Sequence, residues 1–153
     1  MTNRQPSFES SRELLRHEHD MLGGLCDDLI NRAESGDWHE CDAVWDEFGR
    51  VLEAHMGLEE ATLLPAFEAE GPEQAFLVDR IRREHQDIRL TVERLGVAVQ
   101  VHTLRADDVR ELVDRLRRHA ALEDESLYRW ADRTASPLVI QPTSAAVTSA
   151  SQN

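Results

Sequence analysis

The chain is short of most of the residues that build sheets, cross-links and membrane spans. Aromatic side chains are only 5% of its 153 residues. β-Branched runs are brief apart from "VAVQV" at 97–101, so strand signals are nearly absent. No window approaches the ~18 apolar residues that a spanning helix needs. The opening "MTNRQPSFESS" has no apolar core of the secretory kind, and a cytoplasmic location is the expectation. Its two cysteines, Cys26 and Cys41, form neither a C-x-x-C pair nor a disulfide framework. Cys26 falls on an apolar helical stripe and reads as a small buried hydrophobe. An excess of positive charge is also missing. The formal net charge of −13 argues against a nucleic-acid partner, because binding a phosphate backbone needs the opposite sign.

What remains is helical periodicity in a chain long enough for one domain with its own apolar core. Hydrophobic residues make up 41% and charged residues 31%, the balance of a globular protein. Ser10-Ser11-Arg12-Glu13 has the form of a capping box and opens a first helix that should run to about Ala33. Asp37 is placed to cap a second helix, with Trp45, Phe48, Val51, Leu52 and Leu58 as its apolar face. Pro65 kinks or closes that helix within a turn or two. The clearest break is "EAEGPEQ" (68–74), and a third helix follows from about Glu73 to Val99. Thr103 or Asp107 caps a fourth, ending near Thr134 ahead of Pro137. These elements predict an all-α, up-down-up-down four-helix bundle over residues 10–135, after a flexible N-terminus at 1–9. The stretch "ASPLVIQPTSAAVTSASQN" predicts a disordered tail over 136–153, in which "PLVIQP" is either a docking peptide or part of a frayed end.

The chain also repeats itself. "EAHMGLEEATLLP" (53–65) and "RRHAALEDESLY" (117–128) share the pattern His-x-x-x-Glu-acid-x-x-Leu. "RHEHDML" (16–22) and "RREHQDI" (82–88) share Arg-x-Glu-His before apolar residues. His55 and His119 are 64 positions apart, as are Glu59 and Glu123, while His19 and His85 are 66 apart. Two copies of a helix pair, packed about an approximate twofold axis, should bring the four histidines to one level in the middle of the bundle.

At ~100° per residue, positions i and i+4 share a helical face. His55 and Glu59 therefore lie with Phe48, Val51, Leu52, Thr62 and Leu63, while Glu60 falls outside that arc. His119 and Glu123 lie with Leu112, Leu116 and Leu127, and Asp124 is turned away. His19 aligns with Leu15, Leu22, Cys26 and Ile30; His85 aligns with Val78, Ile81, Ile88 and Val92. Four imidazoles and two carboxylates thus point into an apolar interior, and unpaired carboxylates there cost several kcal/mol. A His–Glu hydrogen bond within each helix is one way to satisfy them; a bound cation is the other, and two such pairs with two further inward histidines in register favour it. Imidazole with carboxylate suits iron, manganese or zinc, and six ligands exceed a closed zinc site. A di-metal centre follows, held by His19, His55, Glu59, His85, His119 and Glu123, with Glu59 and Glu123 as bridges. Iron is preferred because its redox chemistry gives such a site a purpose.

With these motifs in this order, the chain resembles the hemerythrin-type HHE cation-binding domains over about residues 10–134. The resemblance implies two iron ions with carboxylate and oxo or hydroxo bridges, and a small ligand such as O2, NO or peroxide bound at an open position. Oxygen-carrying members use two histidines one turn apart on the third helix, but here the flanking positions are Ile81 and Arg89. Their fourth-helix acid also stands five residues after its histidine, at Asp124 here, whereas helical direction and the repeat favour Glu123. One iron should then have an extra open or solvent-filled position, which favours reactivity over reversible carriage. Glu18 and Glu84 are candidates for orienting imidazoles or for simple rim charges. His17 should face solvent, and His39 and His102 lie near the connections. Trp38, Trp45 and Trp130 read as packing. Beside the small-ligand reading stand an oxygen- or redox-sensing module and an iron donor for iron–sulfur cluster repair. The chain is expected to be a monomer or homodimer without membrane or nucleic-acid partners.

Overall fold

The computed structural model describes residues 11–134, and these form four helical rods. The first is α1 (Ser11–Ser35). The second is α2 (Trp38–Leu58), which runs through a π turn (Glu59–Leu63) into α3 (Leu64–Glu68). The third is α4 (Pro72–Gln100). The fourth is α5 (Ala106–Glu123), continued by a second π turn (Asp124–Tyr128) and α6 (Arg129–Arg133). α1 packs on α2 and α5, and α4 packs on the same two, which is the square of an up-down-up-down bundle. Among the described residues there is no strand, and no helix is long and apolar enough to cross a membrane. The expected cap at Ser10, the flexible segment 1–9 and the tail 136–153 lie outside the described residues.

The caps differ in detail from expectation. α1 is closed off by Gly36 just past its end, whose φ of 71° is the left-handed conformation that glycine adopts without a side-chain clash. The Asp37 N–H then reaches back to Arg32 O at 3.2 Å, closing a Schellman-type turn. Asp37 stands at the N-terminus of α2 as expected, yet its side chain caps nothing there, because Arg32 Nη1 donates to Asp37 Oδ2 at 2.8 Å. Neither Thr103 nor Asp107 caps the fourth rod. That position is Arg105, whose N–H donates to Asp108 Oδ2 at 3.3 Å, while the Thr103 N–H bonds back to Ala98 O at 2.8 Å and closes α4.

Pro65 falls within the first turn of α3 and the rod continues only to Glu68. A proline cannot donate to the carbonyl four residues back, so a wide turn before it relieves the clash. The fourth rod makes the same π turn with no proline at all. A second device is common to both. Thr62 and Ser126, 64 positions apart, each donate a hydroxyl to the carbonyl four residues back, Leu58 O and Leu122 O, both at 2.6 Å. Those hydroxyls satisfy carbonyls in the stretch where the helical ladder changes register.

The apolar interior is divided in two. Toward the α1–α2 connection, one cluster joins Leu22, Cys26, Phe48, Met56, Ile88, Leu112 and their neighbours. Toward the other end, a second joins Leu15, Leu63, Leu64, Phe67, Val78, Ile81 and Leu127. Leu58, expected on the core face of α2, is only half-buried; Met56 is buried in its stead. Trp45 packs on Phe48 and Trp130 on Phe67, while Trp38 stacks on His102 with ring centres 5.6 Å apart. Between the two clusters lies a layer of polar groups.

Candidate metal centre

That layer contains His19, His55, Glu59, His85, His119 and Glu123, the six residues singled out by the repeat. Each rod contributes through its inward stripe, and the histidines meet in two pairs. The ring centres of His19 and His55 are 4.7 Å apart, and those of His85 and His119 are 4.8 Å apart. Glu59 and Glu123 lie between the pairs with no exposed surface. His19 Nε2 is 3.0 Å from His55 Nε2 and 3.5 Å from Glu123 Oε2. On the other side His85 Nε2 is 3.2 Å from Glu123 Oε1 and 3.3 Å from Glu59 Oε2, and His119 Nε2 is 2.5 Å from Glu123 Oε1. Glu59 also turns its Oε1 toward His55 Nε2, at 3.4 Å.

Three of the four imidazoles are fixed from behind. His55 Nδ1 lies 2.5 Å from Glu18 Oε2, His119 Nδ1 lies 2.8 Å from Glu84 Oε2, and His85 Nδ1 lies 2.8 Å from Glu60 Oε1. Glu18 and Glu84 therefore orient imidazoles rather than decorate the rim, and each does so across to the next rod. Glu60 was expected to point away. It stays half-buried at the edge of the layer and reaches His85 with its side chain, and Arg89 grips it with contacts of 2.8 and 3.1 Å. Asp124 remains outside the layer, 3.2 Å from Arg16, so the inward acid of the fourth rod is Glu123. His17, His39 and His102 are exposed and belong to neither histidine pair.

One participant has no precedent in the repeat. Tyr128 is fully buried, and its hydroxyl contacts Glu59 Oε1 closely, donates toward Glu123 Oε2 at 3.0 Å, and lies 3.4 Å from Nε2 of both His19 and His55. The matching position 64 residues earlier is Leu64. Periodicity overlooks Tyr128 because five residues on from Glu123 is the wrong face of a regular helix; the π turn restores it.

Burial should drive both carboxylates toward neutrality, and they diverge. Glu59 is raised above the ordinary carboxylate range, by desolvation and by the charge of Glu123. Desolvation also pushes Glu123 up, but the close approach of the His119, His19 and His85 rings outweighs it and holds the group well below that range. Desolvation depresses His85, yet Glu123 and Glu59 more than compensate and raise it to about 10.

The donor set fits a pair of cations. Glu59 Oε2 and His119 Nε2 are buried without a hydrogen bond, and the 2.5 Å approach of His119 to Glu123 is not aligned as one. Such orphaned atoms inside a core require a partner. Two groups have ligand atoms all within 4.8 Å of one another: Glu59, His85, His119 and Glu123, and separately His19, His55 and Glu123. Nitrogen and carboxylate oxygen without thiolate are the ligands of iron, manganese or zinc. Holding Nδ1 by a carboxylate presents Nε2 to a metal.

Comparison with known proteins finds no match among curated proteins and none among solved structures. The family model for the hemerythrin HHE cation binding domain matches residues 10–131, which takes in every residue of this layer. The match spans the four-helix bundle and its buried imidazole–carboxylate layer, and the chain belongs to the hemerythrin HHE cation-binding family.

Proposed function

We propose that the chain is a cytoplasmic non-haem di-iron protein that binds or reduces a small ligand, O2, NO or peroxide. The observation that carries this reading is Glu123: it belongs to both candidate ligand groups, one oxygen facing each pair of histidines, as a bridging carboxylate must. Glu59 spans the same gap, with Oε1 toward His55 and Oε2 toward His85. Iron bound there supplies one-electron redox chemistry and affinity for diatomic ligands. The remaining work falls to the protein. Glu18, Glu60 and Glu84 hold imidazole rings so that Nε2 faces inward. Apolar walls on either side keep bulk water from the carboxylates.

Access has a physical route. A cavity of about 540 Å3 between α1, α2 and α5 is lined by His19, His55 and His119, by apolar groups such as Leu22, Leu52 and Leu116, and by the charged Asp20, Asp27 and Arg117. Gly23 and Gly24 form part of that lining, and a Cβ at either would meet nothing within 4 Å. A neutral diatomic or peroxide can pass such a wall without losing charge-solvation energy.

The test is anaerobic loading with ferrous iron followed by admission of air. Two irons per chain by elemental analysis, and a di-ferric absorption spectrum that develops on oxidation, are the expected results. Fewer than two irons per chain in protein that is otherwise folded sinks the proposal.

A further inference from the structure

Tyr128 does not fit the role of a packing residue. Its hydroxyl has one proton, so it donates a single hydrogen bond. It nevertheless touches Glu59, Glu123, His19 and His55, four groups that would all face a cation. We propose that the Tyr128 oxygen is itself a metal ligand, completing the set that His19, His55 and Glu123 offer to one of two cations. The other cation, at His85, His119, Glu59 and Glu123, has no counterpart, because the repeat places Leu64 there.

Spacing is the argument. With bonds of ~2.0–2.1 Å, neighbouring ligand atoms stand about 3 Å apart at right angles and about 3.4 Å apart at tetrahedral angles. His19 Nε2 to His55 Nε2 is 3.0 Å, Tyr128 Oη to each of them is 3.4 Å, Tyr128 Oη to Glu123 Oε2 is 3.0 Å, and His19 Nε2 to Glu123 Oε2 is 3.5 Å. The oxygen thus stands at ligand distance from the other three ligands. Complete burial removes water as a competing partner for it. When the oxygen–metal bond forms, the phenol O–H bond breaks and its proton leaves to solvent; no electron is transferred. An anionic oxygen favours the ferric over the ferrous ion. The two metal positions are therefore unlike: the His19–His55 position is more nearly closed although its rings line the cavity, and exchange of small ligands belongs to the His85–His119 position, which the cavity reaches at His119.

This inference rests on the di-iron reading above, and the chain's single tyrosine makes the test clean. The full chain is loaded with iron, oxidised, and examined by visible absorption and resonance Raman spectroscopy, beside Tyr128→Phe. The expected result is two irons per chain in both proteins, with a phenolate-to-ferric charge-transfer band in the wild type that Tyr128→Phe loses. Excitation into that band should enhance tyrosine ring vibrations, a readout that needs only the wild type and so survives poor folding of the variant. Two bound irons with no such band, or the same band in Tyr128→Phe, overturns the ligand role and leaves Tyr128 as a hydrogen-bond donor between the carboxylates. A wild-type chain that binds no iron pair overturns the di-iron reading as well, and the metal count tells the two failures apart.

Discussion

Nδ1 of His119 lies 2.8 Å from Oε2 of Glu84, and Arg80 on the same helix as Glu84 holds the other carboxylate oxygen at 3.1 Å. The imidazole is thereby locked in one orientation, with Nε2 facing the layer. Removing such a support typically lowers metal affinity about 10–100-fold. Glu84→Ala should show a loss of that size in competition against a chelator, while the fold measured by far-UV circular dichroism stays intact. Unchanged affinity would mean that His119 is positioned by packing alone.

Metal-free protein should lose stability as the solution becomes alkaline. Burial lowers His55, His85 and His119, but the carboxylates around them prevail and raise all three, His85 to about 10. A raised group contributes fully below its unfolded value, ~6.5 for histidine, and the contribution disappears as pH climbs through the folded value. Glu123 runs the other way, being lowered, so its contribution fades in acid. The melting temperature of chelator-treated protein should fall between about pH 6.5 and 10. Bound metal requires neutral imidazoles, so the metal-induced rise in melting temperature should grow over the same range. Parallel melts with and without chelator check both trends.

Gly24 offers a paired prediction. It sits within α1 beside the cavity, exposed, and a Cβ there meets no atom within 4 Å. Gly24→Ala should stabilise the chain by about 0.5–1 kcal/mol through backbone entropy. Gly24→Phe should partly fill the cavity and slow ligand association at unchanged iron content, measured by stopped-flow mixing. Equal rates would place the entry path elsewhere.

Ile81 is one turn before His85 and wholly buried in the second apolar cluster. Ile81→Ala should cost about 2–5 kcal/mol in urea denaturation, the usual range for an isoleucine truncated in a core. A loss below ~1 kcal/mol would show that this end of the bundle collapses freely around the gap.

The sequence displays the six-residue layer because helical phase is conserved wherever the ladder is regular: His19 with Leu15 and Leu22, His85 with Ile81 and Ile88, His55 with Leu52. Internal duplication then selects the same positions independently. Legibility stops where the phase changes. Tyr128 sits on the wrong face by 100° arithmetic and the second of the two π turns brings it in, while Glu60 stays at the edge and reaches inward with its side chain. The signal for those turns is faint, a hydroxyl residue three positions after each inward glutamate, at Thr62 and Ser126. The caps depart from local expectation for a related reason. Asp37 has the right chemistry and position, but Arg32 claims its carboxylate, a tertiary competition that local propensity does not contain.

The division of the greasy interior into two clusters has a thermodynamic consequence. Each cluster draws on all four rods, so each can hold its own end together, and the contacts that join them across the middle are those of the rods themselves and of the acid–imidazole stratum. Where that stratum is a poor adhesive, one end of the bundle can melt while the other persists, and calorimetry should resolve two overlapping transitions. A cation pair welds the halves, making unfolding all-or-none, so the protein's cooperativity is set at its midpoint.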